Sequence, residues 1–241
     1  MKLDDEVEAN EQIRVFMKFL GVLSIVLFAI IPFQAAIFFI APPPTDVISY
    51  FDLFQRSPLL GFIDFDLNLT VDNILFVLVY IGLFFLLKKK NPVFALIGLV
   101  FSIISVALYV VSREAIFGML ALSSQYTNAI NEVDKESIIT NGKMLMTLFN
   151  GTCFNVSYCF GGIALTMFSI SIIKSNVFSK AVGWLGLVIG ILMLVPPTAG
   201  KFGFVLSFVS IIPMLPWLVM LALGFFKLGR KQKIVINRIE G

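Results

Sequence analysis

The sequence contains no histidine and only two cysteines, and both shortages restrict the chemistry open to this chain. Without histidine there is no imidazole for acid–base catalysis, for activating a serine or cysteine nucleophile, or for binding a metal. Cys153 and Cys159 lie about 120° apart around a helix axis, too far for a disulfide or a shared metal ion. We interpret them as small packing residues. The sequence therefore predicts no catalytic residue, no metal site and no cofactor.

Charged residues are scarce as well. They make up 14% of the chain, whereas an ordinary soluble domain carries about 25%. Hydrophobic residues account for 59%, and the mean hydropathy is +0.97. The apolar residues fall in continuous blocks that approach the roughly 20 residues needed to cross a bilayer. A membrane β-barrel is excluded, because its strands would alternate apolar and polar residues.

Six apolar blocks predict an all-α polytopic membrane protein with six transmembrane helices. The fifth block is the shortest and ends at two prolines, but its glycine-rich run is still typical of a packed membrane helix. The predicted spans are residues 19–40, 69–87, 93–111, 144–173, 182–195 and 202–226.

The distribution of lysine and arginine predicts the orientation, because cytoplasmic loops are enriched in them. With the N-terminus inside, all but five of the eighteen basic residues are cytoplasmic. Both termini are then cytoplasmic, giving an N-in and C-in topology. The chain divides into an acidic cytoplasmic leader (1–18), a six-span membrane domain (19–226) and a basic cytoplasmic tail (227–241). The net charge of +3 lies largely on cytoplasmic segments and indicates membrane lipids, not nucleic acid, as partners.

Two external segments are long. The first, residues 41–68, holds several carboxylates, and the second, residues 112–142, carries apolar residues at helical spacing. We expect span three to continue outward as an amphipathic helix and Asp134 to cap the helix that leads into span four. A long external hairpin is suited to a lid or a partner contact, and a solvated connection remains the alternative.

Span four carries a polar stripe within the stretch "NGTCFNVSYCFGG". On a helical wheel centred on Asn155, the small and polar residues fall within about 60°, and the large apolar ones face elsewhere. Polar groups in hydrocarbon are costly unless they are satisfied, so the stripe should face protein or water. The stripe consists of Gly151, Thr152, Asn155, Tyr158, Cys159, Gly162, Thr166 and Ser169.

Other spans show comparable faces. In span three, one face carries Gly98, Ser102, Ser105, Tyr109, Ser112 and Arg113. Span two has Asp72, with Asn73 and Tyr80 on the neighbouring face, and span six has a face with Ser207, Ser210 and Trp217. The predicted topology puts the ionisable and amide groups at similar depth in the outer half of the membrane. One interpretation is an outward-facing polar cavity lined by Asp72, Arg113, Glu114, Thr152, Asn155 and Tyr158. Asp72 and Arg113 should then form an ion pair, because charges at membrane depth are usually paired. The alternative is that these faces only pack helices together.

Two stretches carry a family resemblance: "SREAIFGMLALSSQY", and the segment from Asn150 to Leu192, in which a span with a polar start is followed by the turn "KSNVFSK" and the opening "GWLG". They resemble the bacterial membrane proteins grouped as domain of unknown function 4386, over roughly residues 21–226. The resemblance implies a multi-pass protein of a bacterial cell membrane with no assigned activity. It supplies no functional residues.

The sequence favours a non-enzymatic membrane protein whose cavity binds or passes a small molecule or lipid. The alternative is a structural or regulatory component that docks a partner through its external hairpin or its basic tail. No nucleophile–base pair or protease motif supports an intramembrane enzyme. No pattern indicates the oligomeric state.

Overall fold

The computed structural model describes residues 2–231, with side chains described for residues 11–230. Within this range the chain forms ten helices. They are α1 (Lys2–Ile40), α2 (Val47–Arg56), α3 (Pro58–Asp64), α4 (Leu67–Leu87), α5 (Pro92–Ser112), α6 (Ala115–Asn128), α7 (Glu132–Phe149), α8 (Thr152–Ile173), α9 (Lys180–Leu192) and α10 (Gly200–Lys231).

Among the residues that the structure describes, five helical stretches are long and apolar enough to cross a membrane. They are Glu11–Ile40, Leu67–Leu87, Pro92–Asn128, Glu132–Ile173 and Gly200–Arg230. Two of them contain more than a span, because α6 continues from α5 and α8 continues from α7. The fifth predicted span, residues 182–195, corresponds to the shorter apolar helix Lys180–Leu192. An all-helical, multi-pass membrane protein is therefore confirmed.

Six helices pack side by side in a closed ring in the order α1, α4, α5, α8, α9, α10 and back to α1. Neighbours around the ring alternate in direction along the chain. The four remaining helices, α2, α3, α6 and α7, all connect to the same end of the ring. We call these four helices the cap, and the two ends of the ring the cap end and the far end.

The interior of the far half of the ring is filled by tightly packed apolar side chains. Leu20, Leu83, Phe168 and Phe225 come from four different helices and are completely buried in one apolar cluster. Gly82 lets Leu20 and Phe225 approach the backbone of α4 closely. Close packing of this kind leaves no path along the ring axis through the far half.

The cap has an apolar core of its own. Phe51 and Phe54 of α2 pack against Ile116 and Met119 of α6, and all four side chains are buried. The helical continuation predicted after span three is confirmed as α6. The first external segment, predicted only as a loop, also contains two helices, α2 and α3.

The start of α7 corrects one detail of the sequence analysis. Its N-cap is Asn131, whose side chain accepts a hydrogen bond of 2.8 Å from the backbone N–H of Asp134. Asp134 instead lies in the first turn, where its carboxylate accepts a second bond from the Asn131 amide. A carboxylate in the first turn stabilises a helix through its dipole, so Asp134 supports the helix without capping it.

The predicted fourth span is interrupted. The helix stops at Asn150, and α8 begins at Thr152 after Gly151 in extended backbone. The side-chain amide of Asn155 donates to the carbonyl oxygens of Asn150 and Gly151, at 3.1 and 2.9 Å. These polar residues therefore form the junction between a cap helix and a membrane helix, and the apolar block 144–173 is two elements.

The lower part of the span-four stripe packs against α9. Gly162 and Gly190 face each other so closely that a Cβ on Gly162 would lie 2.7 Å from the Gly190 carbonyl oxygen. The hydroxyls of Thr166 and Ser169 lie along the same interface, against Gly190 and Gly186. Small residues allow this backbone approach, so helix packing accounts for this part of the stripe.

We predict that Gly162→Ala destabilises the protein although alanine favours helices more than glycine does. The added methyl group meets backbone that cannot move aside, and overpacking of this kind costs about 1–3 kcal/mol. Gly161→Ala is the matched control, because its Cβ would meet only the side-chain ends of Ser105 and Met193. Thermal unfolding in detergent should show a lower Tm for Gly162→Ala only. Equal effects would contradict the close α8–α9 contact.

Candidate functional site

A cavity of about 370 Å³ lies inside the cap half of the ring. This volume is within the usual range for small-molecule sites. All six ring helices or their ends contribute to its wall, which is mostly apolar and aromatic. The lining residues are Ile31, Phe38, Asp66, Leu69, Asp72, Asn73, Phe76, Tyr80, Ser105, Val106, Tyr109, Arg113, Phe154, Ser157, Tyr158, Gly161, Leu165, Met193, Pro197, Ser207, Phe208, Ser210, Ile211, Met214 and Trp217.

The cavity is closed at its far end. Tyr80 of α4 and Phe168 of α8 stack across the ring with parallel planes and ring centroids 5.5 Å apart. The solid apolar cluster follows directly below them. Along α4 the lining runs from Asp66 to Tyr80, which corresponds to a depth of about 20 Å. The space is therefore a blind pocket in this conformation, not a channel through the ring.

Arg113 closes the cap end. Its guanidinium donates a 2.8 Å hydrogen bond to the carboxylate of Asp66 and a 2.9 Å bond to the carbonyl oxygen of Phe149. It also lies over the rings of Tyr109, Phe149 and Phe154, at 4.4, 3.9 and 4.6 Å from their centroids. One buried cation thus ties the start of α4, the end of α5 and the end of α7 together.

The predicted ion pair between Asp72 and Arg113 is wrong, because Arg113 pairs with Asp66. Asp66 occupies the turn before α4 with a positive φ of 61°, a conformation that aspartate tolerates better than most residues. Its carbonyl oxygen accepts bonds from the backbone N–H and the hydroxyl of Thr70. Asp66, at the start of α4, is therefore the ion-pair partner of Arg113 that the sequence analysis expected Asp72 to be.

Asp72 is left without a partner. Its side chain lines the cavity, the residue is 5% exposed, and its Oδ1 atom is buried without a hydrogen bond. Among the described side chains no ion pair includes it. Burying an unpaired carboxylate is costly, which makes this the most unusual group in the pocket.

Polar bonds join neighbouring helices around the cap half of the ring. The Gln34 side chain links α1 to α3 and α4 by bonding Ile63 and Asn68. Further links are Ser105 to the carbonyl of Ser157 (2.7 Å), Cys159 to that of Leu194 (3.3 Å) and the Tyr158 hydroxyl to Ser207 (3.0 Å). They fasten α5 to α8, α8 to the end of α9, and α8 to α10.

The seam between α1 and α10 is different. These helices pack tightly at the far end, where Gly21 lies against Phe226. In the cap half, no hydrogen bond joins them among residues 11–230. Phe38 and Phe208 line the cavity from either side of the seam, and Phe208 is also 51% exposed on the outside of the ring. Hydrogen bonds thus tie α1 to α4, α4 to α5, α5 to α8 and α8 to α10 around the pocket, whereas among the described residues none ties α1 to α10 in this half, or α9 to α10.

The structure brings together some of the predicted cavity residues. Asp72, Arg113 and Tyr158 all line the pocket. Asn155 does not: it bonds the carbonyls at the α7–α8 break and accepts a short bond from Thr198 after α9. Thr152 and Glu114 are exposed and lie outside the lining.

The face of α8 that lines the cavity is rotated around the helix from the predicted polar stripe, and only Tyr158 belongs to both. Phe154, Tyr158, Gly161 and Leu165 line the pocket at spacings of four, three and four, with Ser157 beside them. Phe154 and Leu165 are among the large apolar residues that the helical wheel places away from the polar stripe. The helical spacing i, i+4, i+7, i+11 of Phe154, Tyr158, Gly161 and Leu165 is the sequence pattern that could have predicted this face.

No group of three His, Cys, Asp or Glu residues suitable for a metal ion occurs within the described part of the chain. The groups available in the pocket are instead one unpaired carboxylate, hydroxyl groups, the Asn73 amide, the unpartnered indole N–H of Trp217 and aromatic faces. Such a pocket can hold an organic molecule by apolar contact and orient it by a few polar groups.

The long apolar helices define the protein as a multi-pass membrane protein, and within the described residues they enclose a mostly apolar cavity. Residues 20–229 match the family model described as domain of unknown function (DUF4386). The chain belongs to that family, as the two resembling stretches implied. No curated protein and no solved structure matches it.

We predict that Asp66→Asn strongly destabilises the protein, because it leaves the Arg113 guanidinium buried without its carboxylate. Breaking one partner of a buried pair costs about 3–5 kcal/mol. Glu132→Gln is the matched control, since it removes the exposed pair with Lys135 and should cost no more than about 1 kcal/mol. Unfolding of both variants in detergent measures the difference. Similar losses would show that Arg113 does not hold the cap to the ring.

Asp64, in the cap, should make stability depend on pH. Burial, together with the charge of nearby Asp66, raises the pKa of Asp64 to about 6 from an ordinary value of 3.8. The folded state therefore holds this proton more tightly than the unfolded state, and the ionised carboxylate destabilises the fold above about pH 6. This penalty should disappear as the pH falls towards 4.

The measurement compares Tm for the parent and Asp64→Asn across this pH range. The variant should be the more stable at pH 7, and its advantage should shrink as the pH falls through about 6. Asp52→Asn, which changes an exposed cap carboxylate, provides the control. An advantage that does not vary with pH would contradict the assignment to Asp64.

Proposed function

We propose that this protein is a non-enzymatic, six-span protein of a bacterial cell membrane that binds a small amphiphilic molecule or lipid in its pocket. Both termini are cytoplasmic in this proposal, and the cap lies outside. The basic residues support the orientation, because the far end of the ring carries Lys88, Lys89 and Lys90 in the α4–α5 turn and Lys174 in the α8–α9 turn.

The observation that carries the proposal is the blind pocket, whose cap half has no hydrogen bond across the seam between α1 and α10 among the described residues. The cap covers one end, the stacked Tyr80 and Phe168 close the other, and hydrogen bonds tie α1 to α4, α4 to α5, α5 to α8 and α8 to α10. The open side, between α1 and α10, is flanked by exposed apolar residues such as Phe39 and Phe202, which suit a lipid environment. A molecule entering there comes from the bilayer, so the ligand should itself partition into lipid.

The two tryptophans allow a direct binding test. Trp217 lies in the pocket wall at 1% exposure, whereas Trp184 is 56% exposed on the outer surface. In a Trp184→Phe background, a brominated undecanol added to bilayers should quench Trp217 with saturation. In Trp217→Phe, the remaining Trp184 should be quenched in proportion to the compound in the bilayer, without saturation.

A pocket-filling variant links the saturation to this cavity. Val106→Phe places extra volume in the pocket wall, and Val111→Phe makes the same change on the exposed face of the same helix. Overpacking of about 1.4 kcal/mol or more weakens binding at least about tenfold in the first variant. The second should bind like the parent. Equal binding, or no saturable quenching in any protein, would refute the proposal.

The topology is tested by reporter fusions. Fusions after Lys90 and after Lys180 should report the cytoplasm, and a fusion near Asp134 in α7 should report the outside. The positions after Lys90 and after Lys180 lie on the same side only if the chain crosses the membrane twice between them, at α5 and at α8. An external signal after Lys90 would contradict the N-in assignment and the position of the pocket in the outer half.

A second candidate function is docking of a partner protein. The α6–α7 hairpin supports it, because Ile130 at its tip is 97% exposed and Val133 follows close behind. The basic tail, which could also dock a partner, lies outside the described residues from position 232 onward. Absence of saturable quenching in the tryptophan experiment would favour this alternative over ligand binding.

A further inference from the structure

The fixed charges of the pocket do not balance. Its lining contains two carboxylates, Asp66 and Asp72, and one cationic side chain, Arg113. Arg113 is committed to Asp66, to the Phe149 carbonyl and to three aromatic rings. When both carboxylates are ionised, the pocket carries one uncompensated negative charge, located at Asp72.

We propose that the ligand carries a positively charged nitrogen, held by Asp72, on an apolar chain that fills the rest of the pocket. This inference rests on the proposed binding function and names the ligand class: a single-chain amphiphilic amine or quaternary ammonium compound. A cation supplies the charge that the Asp72 carboxylate lacks, which an uncharged molecule cannot do.

The position of Asp72 suits the charged end of an amphiphile. It is the sixth residue of α4, so it lies about 7.5 Å along the helix from the cap end. A ligand aligned with the bilayer would place its polar end at this shallow depth and its chain towards the closed end. The lower wall is correspondingly apolar, with Leu165, Ile211 and Met214.

Aromatic rings provide the second component of a cation site. Phe76 follows Asp72 by one helical turn of α4 and lines the pocket on the same side. Aromatic faces attract ammonium groups, most strongly where water is excluded. The pocket already uses this interaction once, because Arg113 lies over Tyr109 and Phe154. An anionic ligand would instead meet the Asp72 carboxylate, and the Arg113 guanidinium, whose charge already faces Asp66, could offer it only its buried Nε–H.

The test uses the Trp184→Phe protein in bilayers of uncharged or zwitterionic lipid and three bromo-undecyl compounds that differ only at the other end. These ends are trimethylammonium, hydroxyl and carboxylate. Concentrations are expressed per lipid, so that differences in partitioning are removed. The cation should half-saturate Trp217 quenching at a concentration at least tenfold lower than the alcohol, and the carboxylate should bind most weakly.

Asp72→Asn should abolish the preference for the cation while leaving the alcohol's binding nearly unchanged. Asp52→Asn, an exposed cap carboxylate, should keep the preference. The ranking of the three compounds in the parent protein decides the question by itself if Asp72→Asn does not fold.

Each outcome bears on a different claim. Saturable binding with no preference for the cation, or a preference that survives in folded Asp72→Asn, overturns the inference and leaves the proposed pocket function standing. A preference for the carboxylate also overturns it. If no compound quenches Trp217 with saturation, the proposed function itself fails.

Discussion

The buried guanidinium of Arg113 is the interaction on which the rest of this structure depends. Desolvating a cation is expensive, and the cost is met here by a carboxylate, a main-chain carbonyl and three aromatic faces contributed by separate segments. Because these segments belong to the start of α4, the ends of α5 and α7, and the first turn of α8, satisfying one charge determines where the cap sits on the ring. Arg113 is the only cationic side chain among the described residues that line the pocket. Because it pairs with Asp66, Asp72 is left without a cationic partner.

Helix α8 combines two functions on different faces. Its small residues meet the glycines of α9 at backbone distance, and its aromatic and small residues at positions 154, 158, 161 and 165 form the pocket wall. Tight packing on one side gives the other side a fixed position. The Tyr158–Ser207 bond then ties α8 to α10 near the pocket. The pocket is consequently rigid where α8 forms it and least constrained where α1 meets α10.

Much of this architecture could be predicted from the sequence, and the exceptions have physical reasons. Continuous apolar blocks identify the membrane helices, and the face of α5 from Gly98 to Ser112 is buried as its periodicity indicated. The sequence analysis did not predict the helix break at Asn150, because the length of an apolar block does not reveal that a single glycine within it has extended backbone. The Asp66–Arg113 pair spans 47 residues and depends on one left-handed backbone position, which no local pattern reveals. On α8 one buried face meets α9 and another lines the cavity, so the polar stripe alone could not show which face lines the cavity.

The open seam joins the first and last helices of the described ring, and this has a consequence for how the protein is made. The ring cannot close until α10 arrives, because α10 packs against both α9 and α1. Until then Tyr158 lacks Ser207, and the pocket lacks the part of its wall that α10 contributes. The pocket is therefore the last feature to form during synthesis, and any molecule already lying against α4 and α8 at that moment is enclosed when the final helix docks.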